Sequence, residues 1–133
     1  MDFEKPSPDG QMNVQYRFAG EIRFGPAYYT LRIDSLEFGQ RLFGERGLWS
    51  PDSRYFAAEE WLTTDEKQGP HTRLLVIDMA VLSEYRGGEA INGYIEPERF
   101  EDTTLLYDKL YYPHQTREHF SVDLATVNWK VLT

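Results

Sequence analysis

A threefold internal repeat restricts the fold of this chain more than any other feature of its sequence. A proline followed by an acidic residue occurs at Pro8-Asp9, Pro51-Asp52 and Pro97-Glu98. The prolines of these pairs are 43 and 46 residues apart. A pattern that returns at one period predicts that the chain builds the same supersecondary unit several times.

Two further landmarks keep nearly the same spacing. An apolar residue followed by aspartate closes an apolar run at Ile33-Asp34, Ile77-Asp78 and Val122-Asp123, and a loop proline precedes each run at Pro26, Pro70 and Pro113. The aspartates are 44 and 45 residues apart, and these prolines are 44 and 43 apart. The landmarks predict three copies of a unit of about 44 residues, at residues 7–40, 41–88 and 89–133.

Residue alternation within the copies predicts strands. In the first copy the side chains of Val14, Tyr16 and Phe18 share one face, as in a half-buried strand. In the second copy, residues 55–62 carry apolar side chains on both faces, which favours a strand covered on both sides. An aromatic content of 15%, with 7 prolines and 10 glycines, is also typical of strands and turns.

We therefore expect an all-β fold made of three four-stranded antiparallel units. The first copy lacks an obvious opening strand, so its predicted boundary falls at the turn that begins at residue 7. A chain of 133 residues is long enough for one domain and too short for two ordinary ones, which predicts a single domain over residues 1–133.

The second copy also resembles a known kind of repeat. The segment Trp49-Ser50-Pro51-Asp52-Ser53-Arg54-Tyr55-Phe56-Ala57, followed by Leu74-Leu75-Val76-Ile77-Asp78, is similar to blades of TolB-like and WD40-like β-propellers. In such blades an aromatic-Ser-Pro-Asp turn joins the first two strands, and an apolar strand ending in aspartate leads into the outer strand. The similarity covers most of residues 7–132. The Gly-His and Trp-Asp pairs of WD40 repeats are absent, so the TolB-like comparison is the better one.

The number of copies departs from that resemblance. Propellers typically close with 4–8 blades, whereas this chain has three copies. An open array leaves apolar faces and strand edges uncovered. We expect the copies to collapse into a sandwich or irregular barrel, with an open side that binds a partner. The other possibility is that two chains complete a ring of six.

Charge and composition narrow the class of function. A formal net charge of −8 argues against nucleic-acid binding, which needs a basic surface, and is compatible with a basic protein partner or simply with solubility. The chain has no cysteine, which excludes disulfides and thiolate metal sites. No signal peptide or membrane-spanning run is evident, so we expect a cytoplasmic protein without membrane contact.

Two acidic clusters are the candidate binding residues. The first contains Glu59, Glu60, Asp65 and Glu66, and the second contains Glu96, Glu98, Glu101 and Asp102. One interpretation is that both are solvated loop ends. The other is an acidic patch for a basic partner, in which Trp61 and Tyr55 are aromatic anchors unless they belong to the core. The predicted partner-binding set is Glu59, Glu60, Trp61, Asp65, Glu66, Glu98, Glu101 and Asp102.

No motif for catalysis or cofactor binding stands out. The repeated aspartates Asp34, Asp78 and Asp123 are expected to bond to backbone amides in turns. His71 and His114 occupy equivalent loop positions in two copies, and His119 lies about 13 Å along its strand from Asp123, too far for direct pairing. We therefore expect no enzyme activity, no metal and no cofactor. A small hydrolase that uses His114 and His119 is the enzymatic alternative.

These observations lead to one functional hypothesis and one competitor. A small acidic domain without cysteine, on a repeat scaffold with an open face, favours an immunity protein that neutralises a basic bacterial toxin of the nuclease type. The competing hypothesis is a structural half-propeller that forms a homodimer or docks on other blades.

Overall fold

Strands dominate the structure. The computed structural model of this protein describes residues 1–23, 25–111 and 115–132. Within these residues the chain forms strands and turns and no helix, so the predicted all-β fold is confirmed. The twelve described strands are β1 (Phe3–Pro6), β2 (Asn13–Glu21), β3 (Ala27–Ile33), β4 (Leu36–Glu37), β5 (Leu42–Trp49), β6 (Tyr55–Thr63), β7 (His71–Asp78), β8 (Ser83–Ile91), β9 (Gly93–Glu101), β10 (Thr104–Tyr111), β11 (Thr116–Asp123) and β12 (Lys130–Val131). Along the chain they fall into three groups of four, β1–β4, β5–β8 and β9–β12.

The described strands form two antiparallel sheets. The larger sheet has the order β1-β2-β3-β5-β6-β7-β8-β12, with β4 paired to β3, and the smaller has the order β11-β10-β9. Copies one and two therefore share a sheet, which is joined between β3 and β5 at the residue pair Tyr29 and Phe43. The last strand of the third copy pairs with β8 instead of β11. The copies have consequently merged into a layered sandwich and do not form separate blades.

The first copy does have an opening strand, contrary to the prediction. Strand β1 pairs with β2 from Phe3 opposite Tyr16 to Pro6 opposite Asn13. Its four residues are too few and too polar to show a clear alternation in the sequence. Tertiary contacts hold it, because the rings of Phe3 and Tyr16 stack at 4.3 Å and the Trp49 indole donates to the Lys5 carbonyl at 2.9 Å.

The turns that open copies one and two are the same structure. In residues 7–12 and 50–55, the serine hydroxyl donates to the aspartate Oδ1 two residues later, at 2.7 and 2.6 Å. The same hydroxyl accepts from the amide five residues later, at 3.0 and 2.9 Å. Gly10 and Ser53 occupy the same left-handed position, with φ of 73° and 64°. The repeat is therefore conserved between these copies down to individual hydrogen bonds.

The third proline landmark was predicted wrongly. Pro97 lies inside β9, opposite Tyr107 and beside a register shift of the β9–β10 ladder. Proline is tolerated there because β9 is an edge strand and the ladder is irregular at that point. The turn that corresponds to residues 50–55 comes later, at Asp102, whose φ is 53°.

Two of the three aspartate landmarks, Asp78 and Asp123, bond to an amide in their own turn as predicted, whereas Asp34 bonds to an amide of the neighbouring strand. Each carboxylate accepts a hydrogen bond from a backbone amide. The Oδ1 atoms of Asp34, Asp78 and Asp123 accept from the amides of Asn13, Ala80 and Ala125, at 3.2, 3.0 and 2.9 Å. Asp78 and Asp123 therefore stabilise the turns that follow β7 and β11, whereas Asp34 bonds across the β2–β3 hairpin.

Two apolar cores lie on opposite faces of the second copy. Phe56, Leu75 and Ile77 face the first core, which includes Tyr16 and Ile33 of copy one. The alternate residues of β6 and β7 face the second core, together with residues of the third copy. That second core contains Tyr55, Ala57, Leu74, Val76, Ala90, Ile95, Leu105, Tyr107 and Leu124. The prediction that residues 55–62 are covered on both sides is confirmed.

Copies one and three, which pack on opposite faces of copy two, each present a polar outer face. In copy one the outward side chains of β2 and β3 include Gln15, Arg17 and Arg32, all exposed. In copy three the outward side of β11 carries Arg117 and His119. Because polar terminal faces are what allow a stack of repeats to end in water, three layers need no ring closure to cover their apolar groups.

The shared turn gives a direct test of the repeat. Ser7→Ala and Ser50→Ala each remove a buried hydroxyl that both donates and accepts a hydrogen bond, so each is expected to lower the free energy of unfolding by about 1–2 kcal/mol. Ser35→Ala, at an exposed turn, is the matched control and is expected to change it little. Urea unfolding measures all three. A clear difference between Ser7→Ala and Ser50→Ala would contradict the equivalence of the two turns.

Candidate functional site

Three of the predicted binding residues are buried. Glu59, Glu60 and Trp61 expose only 2%, 4% and 5% of their surface. They lie on β6, the strand covered on both sides, and Tyr55 of the same strand is also in the core. Glu59 and Glu60 are therefore neither solvated loop ends nor part of an exposed acidic patch, and that part of the prediction is corrected.

Glu59 lies in the interior between copies two and three. Its Oε2 accepts from the Ile95 amide at 2.8 Å, and the Arg46 guanidinium is 3.7 Å away. Burial raises the pKa of Glu59 to about 7, although Arg46 and the Ile95 amide act in the opposite direction. A Cβ at Gly44 would overlap the carboxylate, so the glycine makes room for it.

Glu60 belongs to a network of ion pairs on the other face of the second copy. Arg41 lies between Glu60 and Glu84, at 2.8 and 2.9 Å. Arg73 binds Glu60 from the neighbouring strand at 2.9 Å, and Arg86 binds Glu84. Although burial acts to raise it, the hydrogen bonds from Arg41 and Arg73 hold the pKa of Glu60 below its ordinary value. The network joins the β4–β5 connection to β6, β7 and β8.

The outer face of the third copy carries a further buried carboxylate. Asp108 is 1% exposed and contacts Arg117 at 2.6 Å and His119 Nδ1 at 2.7 Å. Burial opposes ionisation, but the bonds from Arg117 and His119 lower the pKa of Asp108. His119 thus pairs with Asp108 across the strand, and His114 lies outside the described residues.

Three carboxylates on this face come close to one another. Ligand atoms of Glu96, Glu98 and Asp108 lie within 4.8 Å, close enough to share a cation. Arg46 and Arg117 already contact Glu96, at 3.5 and 3.2 Å. These two positive charges balance part of the negative charge and reduce the attraction of the cluster for a metal ion.

Most of the repeated acids meet at one end of the fold, which we call the acidic end. It consists of the exposed carboxylates of Asp9, Asp34, Asp52, Glu101, Asp102 and Asp123. The three copies contribute to the same end because their turns are adjacent. The Asp9 amide donates to Ser53 Oγ at 3.0 Å, and the rings of Tyr55 and Phe100 stack at 6.3 Å.

Two carboxylates of the acidic end, those of Asp9 and Asp52, are held in their charged form. The hydroxyl of Ser7 lowers the pKa of Asp9, and the hydroxyl of Ser50 lowers the pKa of Asp52. The arginine of the second turn is already engaged, since Arg54 binds the buried Asp78 at 2.9 Å. Asp9 and Asp52 therefore keep their negative charges at neutral and mildly acidic pH.

An exposed apolar turn adjoins these acids. Val81 and Leu82, between β7 and β8, are 62% and 48% exposed. Leu82 has a left-handed backbone with φ of 49°, which is unfavourable for a bulky side chain. The Leu132 amide donates to the Leu82 carbonyl at 3.0 Å, which holds the turn in place. The acidic end thus combines negative charge with apolar surface.

In the structure, Asp65 and Glu66 of the first predicted cluster lie at the opposite end of the fold from Glu101 and Asp102 of the second. Glu101 and Asp102 lie at the acidic end, and Glu98 lies nearby on β9. Asp65 and Glu66 lie at the opposite end, in the β6–β7 loop, where they line a cavity of about 240 Å³ with Ile22 and Trp61. The structure therefore separates the predicted set into buried, acidic-end and opposite-end residues.

The acidic end also contains residues that sequence reasoning treated only as turn formers. Asp9, Asp34, Asp52 and Asp123 serve both roles, since each bonds to the backbone and remains exposed. The repeat of about 44 residues could have identified these aspartates as one surface, because equivalent turns of stacked copies lie at the same end of the fold.

No helix among the described residues is long and apolar enough to span a membrane. Comparisons of this chain with protein-family models, with curated protein sequences and with solved structures find no match.

Proposed function

We propose that this chain is a non-enzymatic binding protein that neutralises a basic protein partner, in the way that an immunity protein blocks a toxin. The observation that carries the proposal is the acidic end, where six exposed carboxylates lie at the same end of the fold as the exposed side chains of Val81 and Leu82. The partner that this surface fits is a basic protein, such as a nuclease toxin whose positive surface binds phosphates.

Charge supports fast recognition of such a partner. The chain has a formal net charge of −8, and the carboxylates of the acidic end concentrate part of that charge on one surface. Complementary charge steers two proteins into encounter and raises the association rate, an effect that salt weakens. An inhibitor that must intercept a toxin benefits from this kind of rate enhancement.

Apolar contact would then hold the complex together. Interfaces gain most of their stability from a few buried anchors surrounded by polar contacts. Val81 and Leu82 project from the acidic end with little to cover them within the described residues. The left-handed backbone of Leu82 is the kind of local strain that often accompanies a binding surface.

The proposal predicts that charge at the acidic end controls association. The triple variant Asp52→Asn, Glu101→Gln and Asp102→Asn removes three charges but keeps the hydrogen-bonding shape. It is expected to slow association with a basic nuclease toxin recovered as the partner by about tenfold at low salt, since steering depends on net charge. Surface plasmon resonance at several salt concentrations measures the rate, and growth on co-expression measures protection.

The controls separate this surface from the others. Asp65→Asn with Glu66→Gln, at the opposite end, is expected to leave the association rate within about twofold. Leu82→Gly is expected to speed dissociation without harming the fold, because glycine favours the left-handed backbone. His119→Ala is expected to keep protection. Equal association rates for the triple variant and for Asp65→Asn with Glu66→Gln would contradict the proposal. Failure to recover any basic partner would also contradict it.

A further inference from the structure

Strand β11 is an edge strand of the smaller sheet among the residues that the structure describes. Strand β11 pairs with β10 through eight consecutive residues, from Thr116 opposite Tyr111 to Asp123 opposite Thr104. Within the residues that the structure describes, no strand pairs with its other edge. The strand that follows in the third copy, β12, pairs with β8 instead. Among the described strands, the third copy therefore has no fourth strand beside β11.

This edge lacks three of the usual protections against pairing. Proteins blunt free edges with short strands, prolines, bulges and charged side chains, and of these β11 has only the charges of Arg117, Glu118 and Asp123. By comparison, β1, an edge strand of the larger sheet, has only four residues and ends in Pro6. Strand β11 has eight residues, contains no proline and shows no register shift against β10. Its regular backbone is suited to accept another strand.

The sequence of β11 is complementary to itself in one antiparallel register. With Phe120 on the two-fold axis, Phe120 lies opposite its own copy and His119 lies opposite Ser121. The same register places Arg117 opposite Asp123, and symmetry repeats this pair of opposite charges. Directly opposed residues of an antiparallel pair share a sheet face, so each of these contacts is possible.

We infer that β11 pairs with β11 of a second copy of this chain to form a symmetric dimer with a continuous six-stranded sheet. This inference is independent of the proposed function. The antiparallel arrangement points the two acidic ends in opposite directions, because Asp123 marks that end of the strand. Two chains of net charge −8 can therefore meet along an edge that carries both signs of charge, with their most acidic surfaces apart.

Substitution at an exposed position of the edge tests the dimer. Ser121→Lys places a positive charge opposite His119 and diagonal to Arg117 of the second copy. It is expected to weaken dimerisation by about tenfold, whereas Ser35→Lys, at an exposed turn elsewhere, has no effect. Analytical ultracentrifugation over a concentration series measures both. A wild-type chain that stays monomeric at every concentration, or a dimer insensitive to Ser121→Lys, would overturn the inference.

Disulfide trapping tests the register. The chain has no cysteine, so a single introduced thiol is unique. Phe120→Cys is expected to form a disulfide-linked dimer on mild oxidation, because opposed residues on an antiparallel pair are within reach of a disulfide. Glu118→Cys lies about 13 Å from its symmetry mate in this register and is expected to stay monomeric. Faster trapping through Glu118→Cys would refute the proposed pairing.

Discussion

Replacing Arg41 with methionine is expected to lower the free energy of unfolding by about 3 kcal/mol. The guanidinium lies between the buried carboxylates of Glu60 and Glu84, at 2.8 and 2.9 Å. Methionine keeps much of the apolar stem but leaves both carboxylates short of a partner. The loss lies toward the lower end of the range for a broken buried pair, because Arg73 and Arg86 remain in contact with them.

An exposed ion pair provides the matched control for Arg41. Arg99 contacts Glu101 at 3.0 Å, and more than half of each side chain is exposed. Arg99→Met removes the same charge, yet it is expected to cost only about 0–1 kcal/mol, because water screens the pair. Urea unfolding at neutral pH compares the two variants. Similar losses of unfolding free energy in Arg41→Met and Arg99→Met would show that the buried Glu60–Arg41–Glu84 network stabilises the fold no more than an exposed ion pair does.

The features that sequence predicted correctly depend on local chemistry. Alternation along residues 55–62 is a property of the strand itself, so both covered faces could be predicted. The aspartates Asp78 and Asp123 also bond to amides two residues later in their own turns. A turn built from Ser, Pro and Asp carries its hydrogen-bond partners within six residues, and copies one and two show it.

The features that sequence missed depend on contacts distant along the chain. Pro97 follows the pattern of a turn, but a bulge against Tyr107 lets it continue a strand. Glu59 and Glu60 look like surface charges until their partners from elsewhere in the chain, Arg46 of β5 and Arg41 of the β4–β5 connection, are in place. The acidic end likewise exists only after the turns of three copies meet, so no single segment of sequence indicates it.

The pH dependence of stability is expected to reveal the burial of Glu59. Its folded-state pKa is about 7, above the ordinary value of 4.5, so the native state binds this proton more tightly than the unfolded state does. The corresponding stabilisation is fully present below pH 4.5 and is lost as pH rises through 7. At about 1.4 kcal/mol per pKa unit, the loss amounts to about 3 kcal/mol by pH 8.

The variant Glu59→Gln is expected to abolish that contribution, because an amide has no proton to lose at this pH. The difference in unfolding free energy between Glu59→Gln and the wild type should therefore shift by about 3 kcal/mol in favour of the variant between pH 4.5 and pH 8. Glu60→Gln is the control on the same strand. Since the pKa of Glu60 is lowered, the difference in unfolding free energy between Glu60→Gln and the wild type should stay constant above about pH 5.5. A flat difference for Glu59→Gln as well would mean that Arg46 keeps Glu59 ionised throughout, and that the interior between copies two and three holds a charged pair.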